Sequence, residues 1–219
     1  MAYYPLLVYA HILLMVFWLG TDIGVFVAGL QFIDPKRTIE QRSAVIGLGM
    51  IVDRFPRICF VVIVPVGLQM SFARGLLPIG SGAMSLIWLL SAVWLAAVIA
   101  GFFVGGTPQG RVWRLLEKTF QVGGLLAFTT AAVLAWSGQW LIPGWLAGKL
   151  FAFGLMCLFS LLLDRSFAPV FAVYGVIAAQ GSTPSQEATL RQHMIRTYIW
   201  VVAIYLAVLI CGFLGTVKP

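Results

Sequence analysis

Residues Ala83–Phe103 read AMSLIWLLSAVWLAAVIAGFF, twenty-one positions without a charged side chain. The hydrocarbon core of a bilayer is about 30 Å thick and takes roughly 20 apolar helical residues to cross. Inside it a backbone must satisfy its own amides and carbonyls, which an α-helix does within one segment. The stretch is therefore read as a membrane-crossing helix. Read outward from it, the chain offers five more spans, about 4–31, 57–72, 119–141, 145–163 and 194–214. At 219 residues, 61% hydrophobic and 10% charged, the chain is nearly used up by these six. The expected fold is all-α: one polytopic bundle of six transmembrane helices over 1–219, with no separate soluble domain. The first apolar run is too long for a signal peptide and lacks a basic lead, so it is expected to stay as a span.

Charge placement orients the bundle. Of fourteen lysines and arginines, eleven fall on alternate joints: Lys36, Arg37, Arg42, Arg54, Arg57, Arg111, Arg114, Lys118, Arg165, Arg191 and Arg196. The other joints and ends carry only Arg74, Lys149 and Lys218. Basic residues near span ends stay on the cytoplasmic side, so both termini are expected outside. That placement, with anionic-lipid contact, accounts for the net charge of +7 without nucleic acid. Cys59, Cys157 and Cys211 lie in apolar stretches and read as buried small hydrophobes.

Between the spans, a charged loop is expected from Asp34 to about Arg42, with Thr38 placed to cap a helix, and the apolar segment 43–52 is too short to cross. It is either an interfacial helix or an extension of the second span that bends near Pro56. An inner loop with a short amphipathic turn is expected over 105–118. The stretch 167–179 either prolongs the fifth helix or lies in the interface, and 180–192 reads as the longest soluble segment. No internal repeat is evident, which counts against an inverted-repeat transporter.

At 100° per residue, Tyr4, His11, Met15, Trp18, Asp22 and Gly29 share one face of the first span. A histidine and an aspartate are costly in lipid, so this stripe is expected to face the protein interior. Helical rise puts His11 about 9–10 Å below the outer end, and Asp22 near the inner end. Asp22 is expected in a structural ion pair with Arg54 or Arg57. His11 has two readings, a ligand or proton-transfer group, or a neutral histidine hydrogen-bonded to another helix.

All seven acidic side chains fall on the inner half or inner joints. Arg74 and Lys149 are left with no carboxylate on their side except the chain's own C-terminus. Lys149 shares a helical face with Phe153, Met156 and Ser160. The basic pair either snorkels to lipid phosphates or holds a bound anion, such as the propionates of a porphyrin. His193 lies about 20 Å from His11 in depth, so the two cannot ligate one iron. Met70 or Met156 is the alternative partner, and His/Met ligation suits a b- or c-type haem.

The run His11-Ile-Leu-Leu-Met-Val-Phe-Trp18-Leu-Gly20, a His-x6-Trp-x-Gly pattern in a first span, resembles two related membrane families. These are the haem-containing membrane protoporphyrinogen oxidases of bacteria and the copper-resistance D family of presumed copper importers. Trp145-Leu-Ala-Gly-Lys149-Leu resembles the Trp-x3-Lys-Leu opening of a later span in the same families. The two matches cover about a tenth of the chain. They imply a helical bundle in the bacterial inner membrane, with His11 a haem ligand or catalytic residue and Lys149 in the same pocket. The chain departs from the oxidases in its six spans and in Ser160, where they tend to carry a histidine. It departs from the importers in lacking an obvious Met or His pathway.

The leading expectation is a haem b or porphyrin protein working in electron transfer or porphyrin redox chemistry near the outer leaflet. His11 would be the axial ligand. Trp18, Met70, Met156, Arg74 and Lys149 would complete the cofactor site, with a membrane or redox protein as partner. The alternatives are a copper or small-solute transporter, with a water path past His11 and Asp22, and a non-catalytic membrane subunit of a larger complex.

Overall fold

The computed structural model describes residues 3–104 and 107–218. Its described residues form seven α-helices: α1 (Tyr4–Phe32), α2 (Ile39–Val52), α3 (Arg54–Ala73), α4 (Ser81–Val104), α5 (Pro108–Trp136), α6 (Gly144–Gln180) and α7 (Pro184–Val217). Helices α1, α4, α5, α6 and α7 are long and apolar enough to cross a membrane. The chain is an all-helical, multi-pass membrane protein.

Helix α3, which carries the expected second span, is not among those five. It holds Arg54 and Arg57 in its first turn and Pro65 in its middle. Together with α2 it retraces α1 in the opposite direction. Gly49 of α2 lies against Ala28, and Gly67 of α3 lies against His11. Asp53, between α2 and α3, is itself in the helical region (φ −58°, ψ −18°). The segment 43–52 therefore belongs to a helix that runs into α3 with a one-residue interruption. Pro56 has no N–H to return to the Val52 carbonyl, which loosens the turn at that point.

Helices α2 and α3 run end to end along α1, helices α3 to α7 pack side by side in order, and α7 returns to touch α1 along a short seam, closing a ring. At about 1.5 Å per residue, α6 and α7 are roughly 55 and 50 Å long, well beyond a 30 Å hydrocarbon core. Their surplus lies at the end of the bundle where the eleven basic residues gather. There the end of α1, the end of α6 and the start of α7 share a core of Phe32, Val170, Tyr174, Ile177, Leu190 and Met194.

Three expected loops are shorter than their polarity suggests. The stretch 34–42 gives way to α2 at Ile39, and 180–192 gives way to α7 at Pro184. The expected loop 105–118 gives way to α5 at Pro108, and its first residues, Gly105 and Gly106, lie outside the described residues. Each helix starts on a threonine whose hydroxyl accepts an amide N–H three residues on. Thr38 and Thr183 form full capping boxes with Gln41 and Gln186, and Thr107 caps Gly110. Caps of this kind let polar sequence become helix outside the bilayer.

One contact ties this end together. Arg42, expected in a loop, is a helical residue of α2 and only 1% exposed. Its Nε donates to the Phe32 carbonyl at 2.7 Å, closing α2 onto α1. Its two terminal nitrogens grip the Glu187 carboxylate of α7 at 2.8 and 3.1 Å. The guanidinium also lies over the Tyr174 ring of α6, 5.3 Å from its centroid. Removing one partner of such a pair leaves the other charge buried and unpaired. Arg42→Ala should lower stability by about 3 kcal/mol, read as an earlier thermal unfolding midpoint in detergent. Removing both charges with R42M/E187Q should recover most of the loss.

Candidate cofactor-binding cavity

The interior is layered along the bundle axis. Nearest the basic end, Arg57 of α3 reaches carboxylates from three directions: Asp53 at 2.6 Å, Glu117 of α5 at 3.5 Å and Asp164 of α6 at 3.4 Å. Asp22 makes no ion pair with either expected partner. Arg57 is saturated by nearer carboxylates, and Arg54 lies over the Phe102 ring at 5.5 Å. Next comes the hydrogen bond from Gln121 of α5 to Ser160 of α6 (3.2 Å).

The middle is aromatic. The Phe60 ring sits edge-on to Trp18 (5.3 Å) and Trp94 (5.5 Å) and stacks on Phe153 (5.0 Å). Trp94 in turn stacks on Phe120. Phe60–Phe153 joins α3 to α6 across the ring, and the other pairs join helices that pack directly on each other.

Beyond the aromatic layer, away from the basic end, the helices separate around a cavity of about 690 Å³. Pockets of roughly 300–1,000 Å³ take drug-sized molecules and cofactors. All six residues assigned to a cofactor site from sequence line it: His11 and Trp18 of α1, Met70 of α3, Arg74 at its end, and Lys149 and Met156 of α6. The face of α1 predicted to turn inward does so. Tyr4, His11, Met15 and Trp18 face the cavity, and Gly29 is buried against Met194 and Tyr198.

His11 lies flat against the backbone of α3. A side chain at position 67 would place its Cβ 3.0 Å from the imidazole Cε1, so any residue but glycine would make the imidazole give by a few tenths of an ångström. The imidazole Nδ1 is buried with no hydrogen-bond partner. Among the described residues neither ring nitrogen is bonded to protein, contrary to the bland reading of a histidine tied to another helix. A buried polar atom without a protein partner is unusual enough to need an explanation, and a ligand or ion bound there would supply one.

Lys149 is held in a comparable way. Its ammonium lies over Gly215 of α7, where a Cβ would fall 2.5 Å from Nζ. Its carbonyl accepts a weak bond from the Cys211 thiol at 3.8 Å. Arg74 stacks on Tyr4 (4.2 Å) and Lys218 lies over Trp145 (5.7 Å). Lys218 joins the lining, which sequence reading missed because its position past the last span suggested only a tail. Among the described residues none of the three cations has a carboxylate within ion-pair distance. The C-terminal carboxylate on Pro219 lies outside them.

His193 sits on α7 at the basic end, outside the cavity lining. Ser160 faces Gln121 beneath the aromatic layer rather than the cavity. No cluster of three or more His, Cys, Asp or Glu side chains suited to a metal occurs among the described residues. No family model, curated protein or solved structure matches the chain.

Cys211 lines the cavity and is partly accessible, whereas Cys59 and Cys157 are buried. A small membrane-permeant maleimide should therefore modify Cys211 first. Peptide mass mapping over a time course should show it labelled well before the other two, and simultaneous labelling would mean that the cavity does not open to solutes.

Proposed function

We propose that the protein binds a haem or porphyrin in this cavity and acts in electron transfer or porphyrin redox chemistry. Its setting is the bacterial inner membrane, with both termini and the cavity on the outer side. The observation that carries the reading is the meeting, in one largely apolar cavity, of an imidazole whose buried Nδ1 has no partner with a half-buried Lys149 and the exposed Arg74 and Lys218. Among the described residues none of these three cations has a carboxylate within ion-pair distance.

The donor set fits such a group. His11 would supply an axial nitrogen, and Met70 or Met156 a sulfur ligand. Arg74, Lys149 and Lys218 would hold carboxylates, since charge-assisted hydrogen bonds in a low-dielectric site are the strong ones. Trp18, Phe153 and Phe128 would flank a planar ring. When bound, the group would supply one-electron or ring redox chemistry. The chain's own part is to fix the ligand's orientation, neutralise its acids and exclude water behind the aromatic layer.

The cavity also gathers soft donors, His11 with Met15, Met70 and Met156, which suit copper(I). Two observations favour an anion over a metal cation. The cavity carries three positive side chains with no acidic residue in its lining. Beneath it, the rings of Trp18, Phe60 and Phe153 occupy the centre of the bundle between the cavity and the basic end, where a transport path would have to run.

Haemin added to the detergent-purified protein should give a stoichiometric Soret band. His11→Ala should abolish the ligand-specific features of that spectrum. K149Q and R74Q should each weaken binding roughly 10- to 100-fold, the range for losing a hydrogen bond to a charged group. A featureless spectrum with folded protein, or one unchanged in H11A, would reject the reading.

A further inference from the structure

A second recess lies at the opposite, basic end, where the last turn of α1 passes the second and third turns of α7. It has a volume of about 710 Å³, and its walls include Leu30, Ile33, Asp34, Glu187, Arg191 and Arg196. It shares no residue with the cofactor cavity.

Its charges do not cancel. Asp34 accepts from the Lys36 amide and pairs with Arg37. Glu187 is taken by Arg42 in two bonds and by the Ser182 hydroxyl at 2.6 Å. Both carboxylates are thus committed to partners of their own. Arg191 and Arg196 have no acidic partner within ion-pair distance among the described residues, and both are exposed. Two guanidiniums are left over at the mouth of the recess.

Below them the surface turns apolar without a break. Leu30 (42% exposed) and Ile195 (51% exposed) form the floor. At helical spacing from Leu30 come Val27 and Ile23 on α1, and from Ile195 come Ile199, Val202 and Leu206 on α7, all exposed. The track follows the short α1–α7 seam toward the middle of the bundle. Its upper end suits a phosphate and its length suits hydrocarbon.

We infer that this recess is a binding site for one anionic phospholipid. Arg191 and Arg196 hold the headgroup phosphate, and an acyl chain lies along the seam. An acidic peptide would match the arginines and leave the apolar track uncovered. The lipid also covers the seam where the ring of helices is closed by the fewest contacts. Guanidinium geometry suits bidentate phosphate binding, and basic recesses between helices beside the membrane surface recognise anionic headgroups.

Native mass spectrometry of the full chain in detergent tests the site, with phosphatidylglycerol and phosphatidylcholine of identical acyl chains as probes. One phosphatidylglycerol should be retained per chain in preference to phosphatidylcholine. R191Q/R196Q should weaken that retention about thirty-fold, the product expected for two arginines near a membrane surface. Ile195→Asn should weaken it while leaving both guanidiniums in place. Circular dichroism and thermal melts establish that each variant is folded.

Equal retention of the two lipids would overturn the inference, as would unchanged retention in the double variant. Competition by free glycerol phosphate or an acidic peptide as effective as the lipid would show that the acyl track contributes nothing. Loss of the lipid in K149Q/R74Q instead would move it to the other cavity.

Discussion

Arg42 binds four helices at one point. Through the Phe32 carbonyl it fixes α2 to α1, through Glu187 it reaches α7, and through the Tyr174 ring it reaches α6. Elsewhere the ring of helices is held by broad contacts, α1 on α2 and α3 and each later helix on the next, whereas α1 and α7, the first and last, share only a short seam. A buried guanidinium is tolerated only when its charge and donors are fully matched. That requirement allows α1, α2 and α7 one relative placement, and so sets how far apart α1 and α7 stand at the opposite end, where the cavity lies between them.

The same constraint sorts polarity through the rest of the interior. At the basic end Arg42 finds Glu187, and Arg57 finds Asp53, Glu117 and Asp164. In the middle the centre is filled with rings that need no partners beyond each other. At the far end, among the described residues, cations recur without carboxylates and a histidine lies beside them without a hydrogen bond. Of the three, Lys149 is half-buried and Arg74 and Lys218 are exposed; an anion bound among them would gain most from Lys149, whose charge is partly desolvated. Snorkelling explains a lysine that reaches lipid phosphates. The Lys149 ammonium instead lies against Gly215 of α7, among the residues that line the cavity.

Much of this was legible in the residues. The charge-free run at 83–103 and its counterparts gave the all-helical membrane class, because crossing a bilayer demands a length of apolar helix that chance rarely supplies. The period of α1 gave its inward face, and depth counting put His11 and Lys149 on one level. Less legible was whatever depended on which polar residue meets which. Arg42 and Glu187 lie 145 positions apart in stretches that read as loops, although the Thr-x-x-Gln pattern at Thr38 and Thr183 was available as a helix-start signal. Asp22 was matched to Arg54 or Arg57 by depth alone. Depth fixes height along the bundle and leaves azimuth open, and nearer carboxylates on α5 and α6 took Arg57.

By itself, then, the sequence determined that the chain lives in a membrane as helices, and which face of α1 looks inward, since both follow from local composition and period. Tertiary structure alone decided that six residues from three helices line a single cavity, and that an aromatic layer lies below it. It also decided that Lys218 belongs to the cavity and Ser160 does not. Those outcomes depend on how helices are rotated about their own axes and ordered around the ring. Those rotations are set by long-range contacts such as Arg42–Glu187 and Phe60–Phe153, which no local pattern in the chain records.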